Sequence, residues 1–353
     1  MVNILERLTN VTNSTEMPFG RHCVHSTPPY ELSCITAAIT AFLVLMTLPG
    51  NLLIIVAIFK DPFKELKTPF NYFVLNLAVS DLVAALVIEP NFIAYHVLEM
   101  NGRPIESYIG ILHVSYFICC MASFQSIAAL SRERYLSVRS RQRRQLSQKR
   151  TFIITIAIWV TSLTFPFLYF ATSFYKFSLV FANIFILGTL GIIAFAYVRI
   201  YQRLHARVAN TVREGTRRET RQLARNRAYE RKATRAFFYI AVVFVACNIP
   251  SCIATYLANF CDLCSCNFIH VVRDAQFLLT LTSCTANQFL YSLRMPTFKR
   301  ALKSIMGCAV RDATVASTSG QTQSQSNTEP KIKAADGNMA LSSREEPWCI
   351  SIS

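Results

Sequence analysis

Charge is scarce in this chain of 353 residues: Asp, Glu, Lys and Arg make up 16% of it, against 52% hydrophobic and 12% aromatic residues. A soluble domain of this length is rarely so apolar, and the apolar residues fall in long blocks. The period-two alternation of a membrane β-barrel is absent. Self-similar halves, common among transporters, are absent too. No Ser-His-Asp, His-x-x-x-His or paired-carboxylate arrangement stands at a membrane face, which argues against an integral-membrane enzyme. The start of the chain shows no basic n-region with a cleavage pattern, so the first apolar block is expected to act as an uncleaved signal.

What is present is length. A helix needs roughly 20 mostly apolar residues to cross the hydrocarbon core. Seven blocks qualify, at about Ser33–Phe59, Phe70–Tyr95, Ile109–Ala129, Phe152–Ala171, Phe177–Tyr201, Ala236–Phe260 and Phe268–Leu293. Unpaired backbone groups are too costly in lipid, so each block is expected to be helical. The fold class is therefore all-α, a seven-transmembrane helix bundle.

The net charge of +16 is decided by its location. Basic residues crowd into Arg139–Arg150 and Arg199–Arg235, whereas the segments after the second, fourth and sixth blocks hold only Arg103 and Lys176. This alternation is the positive-inside rule; it puts the N-terminus outside and the C-terminus in the cytoplasm. The charge is topological, and no nucleic-acid partner is implied. Asn10 and Asn13 head glycosylation sequons in the outer tail. From Asp312 the chain is polar and rich in Ser, Thr and Gln, which reads as a disordered tail, either a linker or a phosphorylated regulatory segment. The organisation is an outer tail at 1–32, a helical domain at 33–308 and a cytoplasmic tail at 309–353.

Eleven of the twelve cysteines sort by depth. Cys119, Cys120, Cys247, Cys252 and Cys284 read as small buried apolar residues. Cys308 follows a short amphipathic stretch, Thr297–Met306, and suits palmitoylation at the inner leaflet. Cys23, Cys34, Cys261, Cys264 and Cys266 lie outside, where disulfides persist. Five is odd, so at least one is unpaired, with Cys23 the candidate to stay free. A zinc site in Cys261–Cys266 is the other reading.

An ionisable group inside a membrane segment is a functional hypothesis by default. Asp81, in Asn76-Leu77-Ala78-Val79-Ser80-Asp81, is the deepest. Gly50-Asn51 stands in the first block, and the third ends Glu133-Arg134-Tyr135. Trp159 lies mid-fourth, Pro250 mid-sixth, and the seventh ends Asn287-Gln288-Phe289-Leu290-Tyr291, ahead of Phe298. In order and spacing, over roughly Ser33–Cys308, this resembles the rhodopsin-like family of G-protein-coupled receptors. The resemblance implies a plasma-membrane receptor carrying an extracellular ligand's signal to a heterotrimeric G protein. It also implies a short amphipathic eighth helix, and arrestin and receptor-kinase contacts through the Ser/Thr-rich tail. Besides that ligand and membrane lipid, no further partner or cofactor is expected.

The family likeness assigns roles residue by residue. Glu133, Arg134 and Tyr135 form the activation triplet. Glu230, at the start of the sixth helix, is the acid expected to pair with Arg134 at rest, and Tyr197 and Tyr291 hold the freed Arg134 after the sixth helix swings outward. Pro250 permits the swing, since proline removes a helical hydrogen bond. Asp81, Ser123, Ser283 and Asn287 map onto the family's allosteric sodium site, oxygen ligands that suit a hard cation. A water-filled polar cluster around Asp81 is the other reading. A transporter or proton relay built on Asp81 is the alternative function.

Several positions depart from the family. Ile109 stands where the third helix usually carries a cysteine, and the second outer loop shrinks to roughly Ser173–Lys176. Thr189 replaces the proline of the fifth helix, Asn248 the tryptophan near Pro250, and Gln288 the proline after Asn287. The missing cysteine bridge and proline, with the cluster Cys261–Cys266, look most like the melanocortin–adenosine–cannabinoid branch. That likeness implies local disulfides in the third outer loop and pairs Cys34 with Cys266 or Cys264. The acids with which melanocortin receptors bind peptide are replaced by Asn91, Ile109 and His113. Tyr116 stands where amine receptors carry an aspartate, and Leu281 where opsins carry the retinal lysine. The expected pocket, lined by His113, Tyr116, Phe117, Phe181, Phe185, Ser251, Thr255 and Phe277 with Glu89, is aromatic and mostly neutral, which suits a lipid or small apolar ligand.

Overall fold

The computed structural model describes residues 23, 26–103, 109–139, 146–172, 174–214, 221–261 and 263–307. Expectations for Asn10, Asn13, Cys308 and the tail from 309 lie outside the described residues.

Helices follow one another throughout, with no strand among the described residues. They are α1 (Tyr30–Lys60), α2 (Pro69–Met100), α3 (Ile109–Arg139) and α4 (Gln148–Ala171). Phe174–Phe181, Ala182–Leu187 and Gly188–Glu214 run on as α5. Then come α6 (Arg221–Phe260), α7 (Cys266–Arg294) and α8 (Pro296–Ile305). Each of the seven expected blocks lies within one of α1–α7. Six of these helices hold a segment long and apolar enough to cross a membrane. The seventh, α7, spans 29 residues but carries Arg273, Asp274 and many buried amides and hydroxyls. The helices α5 and α6 overrun their apolar blocks, reaching Glu214 and starting at Arg221. Hydropathy marks the lipid-embedded length, while the helical hydrogen-bond ladder continues into water.

The bundle has an apolar exterior and a mixed interior. Phe42, Leu45, Phe152, Ile156, Phe195, Val198 and Phe260 project outward, while Asn51, Asn76, Asp81, Glu89, Asn248 and Asn287 are buried. Water offers no compensation inside a bilayer, so these polar groups turn inward, Asn76, Asp81 and Asn287 to neighbouring helices and Asn51 and Asn248 to carbonyls of their own helices.

Local sequence explains the breaks in the helices. Thr68 caps α2, its hydroxyl accepting from the Asn71 N–H at 3.3 Å, with Pro69 at the first helical position. A π-helical turn at Ala84–Ile88 precedes Pro90, whose ring cannot tolerate the carbonyl four residues back. A second π turn, Ala182–Leu187, widens α5 just before Thr189. The α5 bulge therefore forms without the proline usual there. The helix α4 tightens into a 3₁₀ segment at Phe165–Ala171, around Pro166.

Asp61 organises the inner end of α1. It adopts a left-handed φ of 36° that stops the helix. Its Oδ1 accepts from the backbone N–H groups of Glu65 and Leu66, both at 2.9 Å. The turn into α8 passes through extended Met295, as the residue before Pro296 requires. Phe298, Ala301 and Leu302 then bury, and Arg300 reaches across to Glu65 at 3.5 Å and to the Phe63 ring at 4.7 Å. A short amphipathic α8 is thus docked on the first inner loop.

The outer cysteines pair differently from expectation. Cys23 bonds to Cys266 and Cys261 to Cys264, while Cys34 is free and exposed on α1. The correction has a geometric cause: Cys34 sits inside α1 and is exposed, whereas Cys23 precedes that helix and is buried at the start of α7. His270 fixes the same segment before α1, with its Nε2 3.1 Å from the Ser26 carbonyl. Non-reducing peptide mapping of the purified protein should recover the peptides Cys23–Cys266 and Cys261–Cys264, with Cys34 alkylated before reduction. A Cys34–Cys266 peptide would contradict the pairing.

Candidate functional site

Polar side chains from α2, α3 and α7 meet at Asp81. Its Oδ1 accepts from Ser123 Oγ at 3.2 Å and its Oδ2 from Asn287 Nδ2 at 3.0 Å. Ser80 Oγ lies 3.0 Å from Ser123 Oγ and donates to the Cys119 carbonyl at 2.9 Å. The expected quartet is only partly assembled: Ser283 is buried one turn before Asn287 without a hydrogen bond to Asp81, and the Cys284 thiol lies against the carboxylate instead. Asp81 and Ser123 offer oxygens of the kind a hard monovalent cation takes, whereas Asn287 turns its Nδ2 and Cys284 its thiol to the carboxylate. Beside this cluster, Trp159 Nε1 donates to Asn76 Oδ1 and Asn76 Nδ2 to Ser126 Oγ, each at 2.6 Å, tying α4 to α2 and α3.

The same core reaches α1. Thr47 Oγ1 stands 2.6 Å from Thr285 Oγ1, and Gln288 Nε2 donates to the Met46 carbonyl at 2.6 Å. The Gln288 carboxamide lies across Gly50, occupying the space that a Cβ there would need. Gln288 thus uses the surface that the glycine exposes. Glu89 is fully buried, and neither carboxylate oxygen has a hydrogen-bond partner. Asn248 Nδ2 donates to the Phe244 carbonyl at 2.9 Å, one turn before it in the helix that contains Pro250.

At the inner end, Arg134 Nε is 3.3 Å from Glu133 Oε2, and its guanidinium stacks over Phe70 at 3.7 Å from the ring centre. A cation over an aromatic face gains electrostatic attraction while staying out of lipid. Tyr135 packs on Phe195 at 5.8 Å and lies 3.5 Å from Arg139. Tyr291 is fully buried, its hydroxyl without a hydrogen-bond partner, beside Phe298 at 6.2 Å. Tyr197 is half exposed and packs on Phe238 at 5.2 Å. Neither tyrosine is bonded to Arg134 in this state. The side chain of Glu230 lies outside the described residues.

Toward the outside, aromatic rings fill the space between α3, α5 and α7. Phe277 packs on Tyr116 at 4.8 Å and on Phe92 at 5.1 Å, and Phe117 on Phe177 and Phe181, both at 4.8 Å. Phe185 joins through Phe181 at 5.4 Å. Hydroxyls line one side: Tyr116 donates to Thr280 at 3.1 Å, with Ser251 3.4 Å from that same Thr280. Thr255 donates to the Ser251 carbonyl at 3.1 Å, and His113 Nδ1 stands 3.1 Å from the Tyr169 hydroxyl. Glu89, also expected here, is buried beside Thr47, whose hydroxyl donates to the Leu43 carbonyl at 2.8 Å and stands 2.6 Å from that of Thr285.

Comparison with known proteins decides the kinship. The model of the 7-transmembrane-receptor (rhodopsin) family matches residues 50–178 and 170–291. The chain belongs to that family. Among curated relatives, it is 31% identical to the D(1A) dopamine receptor of Didelphis virginiana over 143 residues, 39% of this chain and 31% of that one. It is 29% identical to the octopamine receptor of Heliothis virescens over 158 residues, 43% of this chain and 32% of that one. These matches span about a third of each relative's length. Squid rhodopsin shares the fold, with a TM-score of 0.69 at 19% identity over 81% of this chain and 90% of that one.

Within this rhodopsin-family bundle, one buried group escaped the sequence reading. Arg273, Asp274, Glu99, His96 and Tyr95 meet at the outer ends of α2 and α7. The signal was available, since Arg273 and Asp274 are adjacent charges inside an otherwise apolar block.

The fit of Gln288 over Gly50 yields a prediction. Gly50→Ala should displace the carboxamide, break its bond to Met46 and cost about 1–3 kcal/mol. Gln288→Ala in the same chain should recover most of that loss, a coupling visible in a double-mutant cycle of thermal unfolding in detergent. Additive losses would show that the two side chains do not share the space.

Proposed function

We propose that this chain is a G-protein-coupled receptor of the plasma membrane, with its N-terminus outside and C-terminus in the cytoplasm. The observation that carries the reading is Arg134 at the inner end of α3. Ion-paired with Glu133 and stacked on Phe70, it is within the same bundle as a buried Tyr291 whose hydroxyl waits without a partner. Outward movement of α6 about Pro250 would open the inner face to a heterotrimeric G protein and allow Arg134 to exchange Glu133 for the tyrosines. Such a two-state element is biased from outside by a ligand and from inside by the G protein. Arrestin and a receptor kinase would engage the Ser/Thr-rich tail. The proximal assay is nucleotide exchange on purified G proteins in receptor-containing vesicles. Exchange no faster than in empty vesicles across all G-protein classes would overturn the reading.

The outer aromatic chamber is the ligand site in this reading. Relatives of the chain include dopamine and octopamine receptors, yet Tyr116, with its hydroxyl committed to Thr280, stands at the position of the amine-binding acid. The Phe117, Phe181, Phe185 and Phe277 rings offer dispersion and apolar burial, while Ser251, Thr255 and Thr280 supply a few hydroxyls. This favours a small apolar or lipid-like ligand over a charged amine.

Asp81, Ser123 and the Asn287 carboxamide would hold a sodium ion, whose charge offsets the buried carboxylate. Sodium should stabilise the resting receptor against heat relative to a bulky organic cation at equal ionic strength. Asp81→Asn should remove that difference, a coupling of about 1–3 kcal/mol. An equal sodium effect in both proteins would make the cluster purely structural. Glu230→Ala should raise basal nucleotide exchange several-fold at equal surface expression, because a resting-state partner of Arg134 is lost. Unchanged basal exchange would remove Glu230 from the switch.

A further inference from the structure

The inner end of α2 is built to a fixed position. Asp61 closes the first inner loop by accepting from the N–H groups of Glu65 and Leu66, both at 2.9 Å, and Leu66 is itself buried. The Thr68 N–H donates to the Leu66 carbonyl at 2.8 Å, so loop and helix cap are bonded to each other. Thr68 caps α2 and Pro69 fills its first position, which leaves Phe70 as the second helical residue. Arg300 of α8 holds the same loop through Glu65 and the Phe63 ring.

This scaffold presents an aromatic face to α3. Phe70 is 2% exposed, and the Arg134 guanidinium carbon lies 3.7 Å from its ring centre. That is contact distance, well inside the roughly 6 Å over which a cation is drawn to a ring's face. Glu133 meets the same guanidinium at another surface, its Oε2 3.3 Å from Nε. A guanidinium offers N–H edges to carboxylates and a planar face to rings, so acid and ring act together.

The ring has one property that the acid lacks. Glu133 adjoins Arg134 on α3 and moves with it, whereas Phe70 belongs to α2. Only a contact on another helix registers a change in how the helices pack. A buried phenylalanine commonly does no more than fill space, and Phe73, Val74 and Leu77 of the same helix are buried too. Phe70 differs from them in carrying a cation on its face. Removing a guanidinium from water is costly, and Arg134 keeps only 15% of its side chain exposed. The Phe70 face returns part of that cost without adding a charge.

We propose that Phe70 is a positioning residue of the Arg134 switch: its ring clamps the guanidinium across the α2–α3 interface, and losing that contact is part of leaving the resting arrangement. This rests on the receptor reading of the chain. Movement of Arg134 toward the tyrosines then gives up the ring as well as Glu133, and the strength of the stack helps set basal activity.

The test changes the ring's electrostatics and keeps its shape. In the full-length receptor, Phe70 is replaced by nonsense suppression with mono-, di- and trifluorophenylalanine. Each fluorine withdraws charge from the ring face while leaving it apolar, so a packing role predicts no graded loss. In detergent without G protein, Tm should fall stepwise along the series, by about 1–3 °C in all. It should stay level in an Arg134→Gln background. In vesicles, basal nucleotide exchange should rise along the same series, about threefold to tenfold at trifluorophenylalanine. A level Tm series, an equal fall in Arg134→Gln, or exchange that ignores fluorination would overturn the proposal. If Arg134→Gln does not fold, the graded Tm and exchange with Arg134 in place decide. Absence of exchange in every protein, wild type included, would count against the receptor reading, while the Tm series would still judge the clamp.

Discussion

A bilayer offers no hydrogen-bonding partner, and this one constraint shapes nearly every feature of the chain. The backbone answers it by coiling into helices, whose N–H and C=O groups pair within each segment. The side chains answer it by sorting: hydrocarbon faces outward, and most of the amides and acids of the spanning segments turn inward. Asn76 between Trp159 and Ser126 is the plainest case, one carboxamide serving three helices. Where the backbone ladder is interrupted, the helix adapts locally, as in the π turn before Pro90.

The same constraint makes incompletely partnered groups conspicuous, and they are spaced along the bundle axis. At the outer end His96 Nε2 faces an acid, mid-membrane Glu89 has two unpaired oxygens, and at the inner end the Tyr291 hydroxyl is unbonded. A buried polar atom left short of a partner costs free energy that a ligand, an ion, a proton or a second conformation can return. Receptor action needs such returns at both faces. Fully satisfied polar networks, by contrast, hold one arrangement.

Departures from the family pattern are also physical compensations. The α5 bulge survives the loss of its proline, because a π turn at Ala182–Leu187 delivers the widening by itself. Gln288 in place of proline gives α7 an interhelical bond to Met46 instead of a ring-induced kink. The bridge that usually anchors the second outer loop is replaced at the other side of the bundle by Cys23–Cys266, which ties the lead-in of α1 to α7.

Hydrophobic length and the placement of Lys and Arg made the helices and their expected orientation legible in the sequence, because both are set by transfer free energies that each residue carries alone. Order and spacing made the family legible. Asp81, Ser123 and Asn287 could be grouped from helical register and family likeness, and they do meet; Ser283, assigned by the same likeness, does not reach the acid. Which cysteine meets Cys266, which carboxamide fills the hollow at Gly50, and how Glu99, His96, Arg273 and Asp274 divide their charge were decided only by the tertiary structure. Each depends on distances between segments up to 243 residues apart. Composition and periodicity act along one chain segment, whereas pairing and charge balance arise only when separate helices are brought side by side.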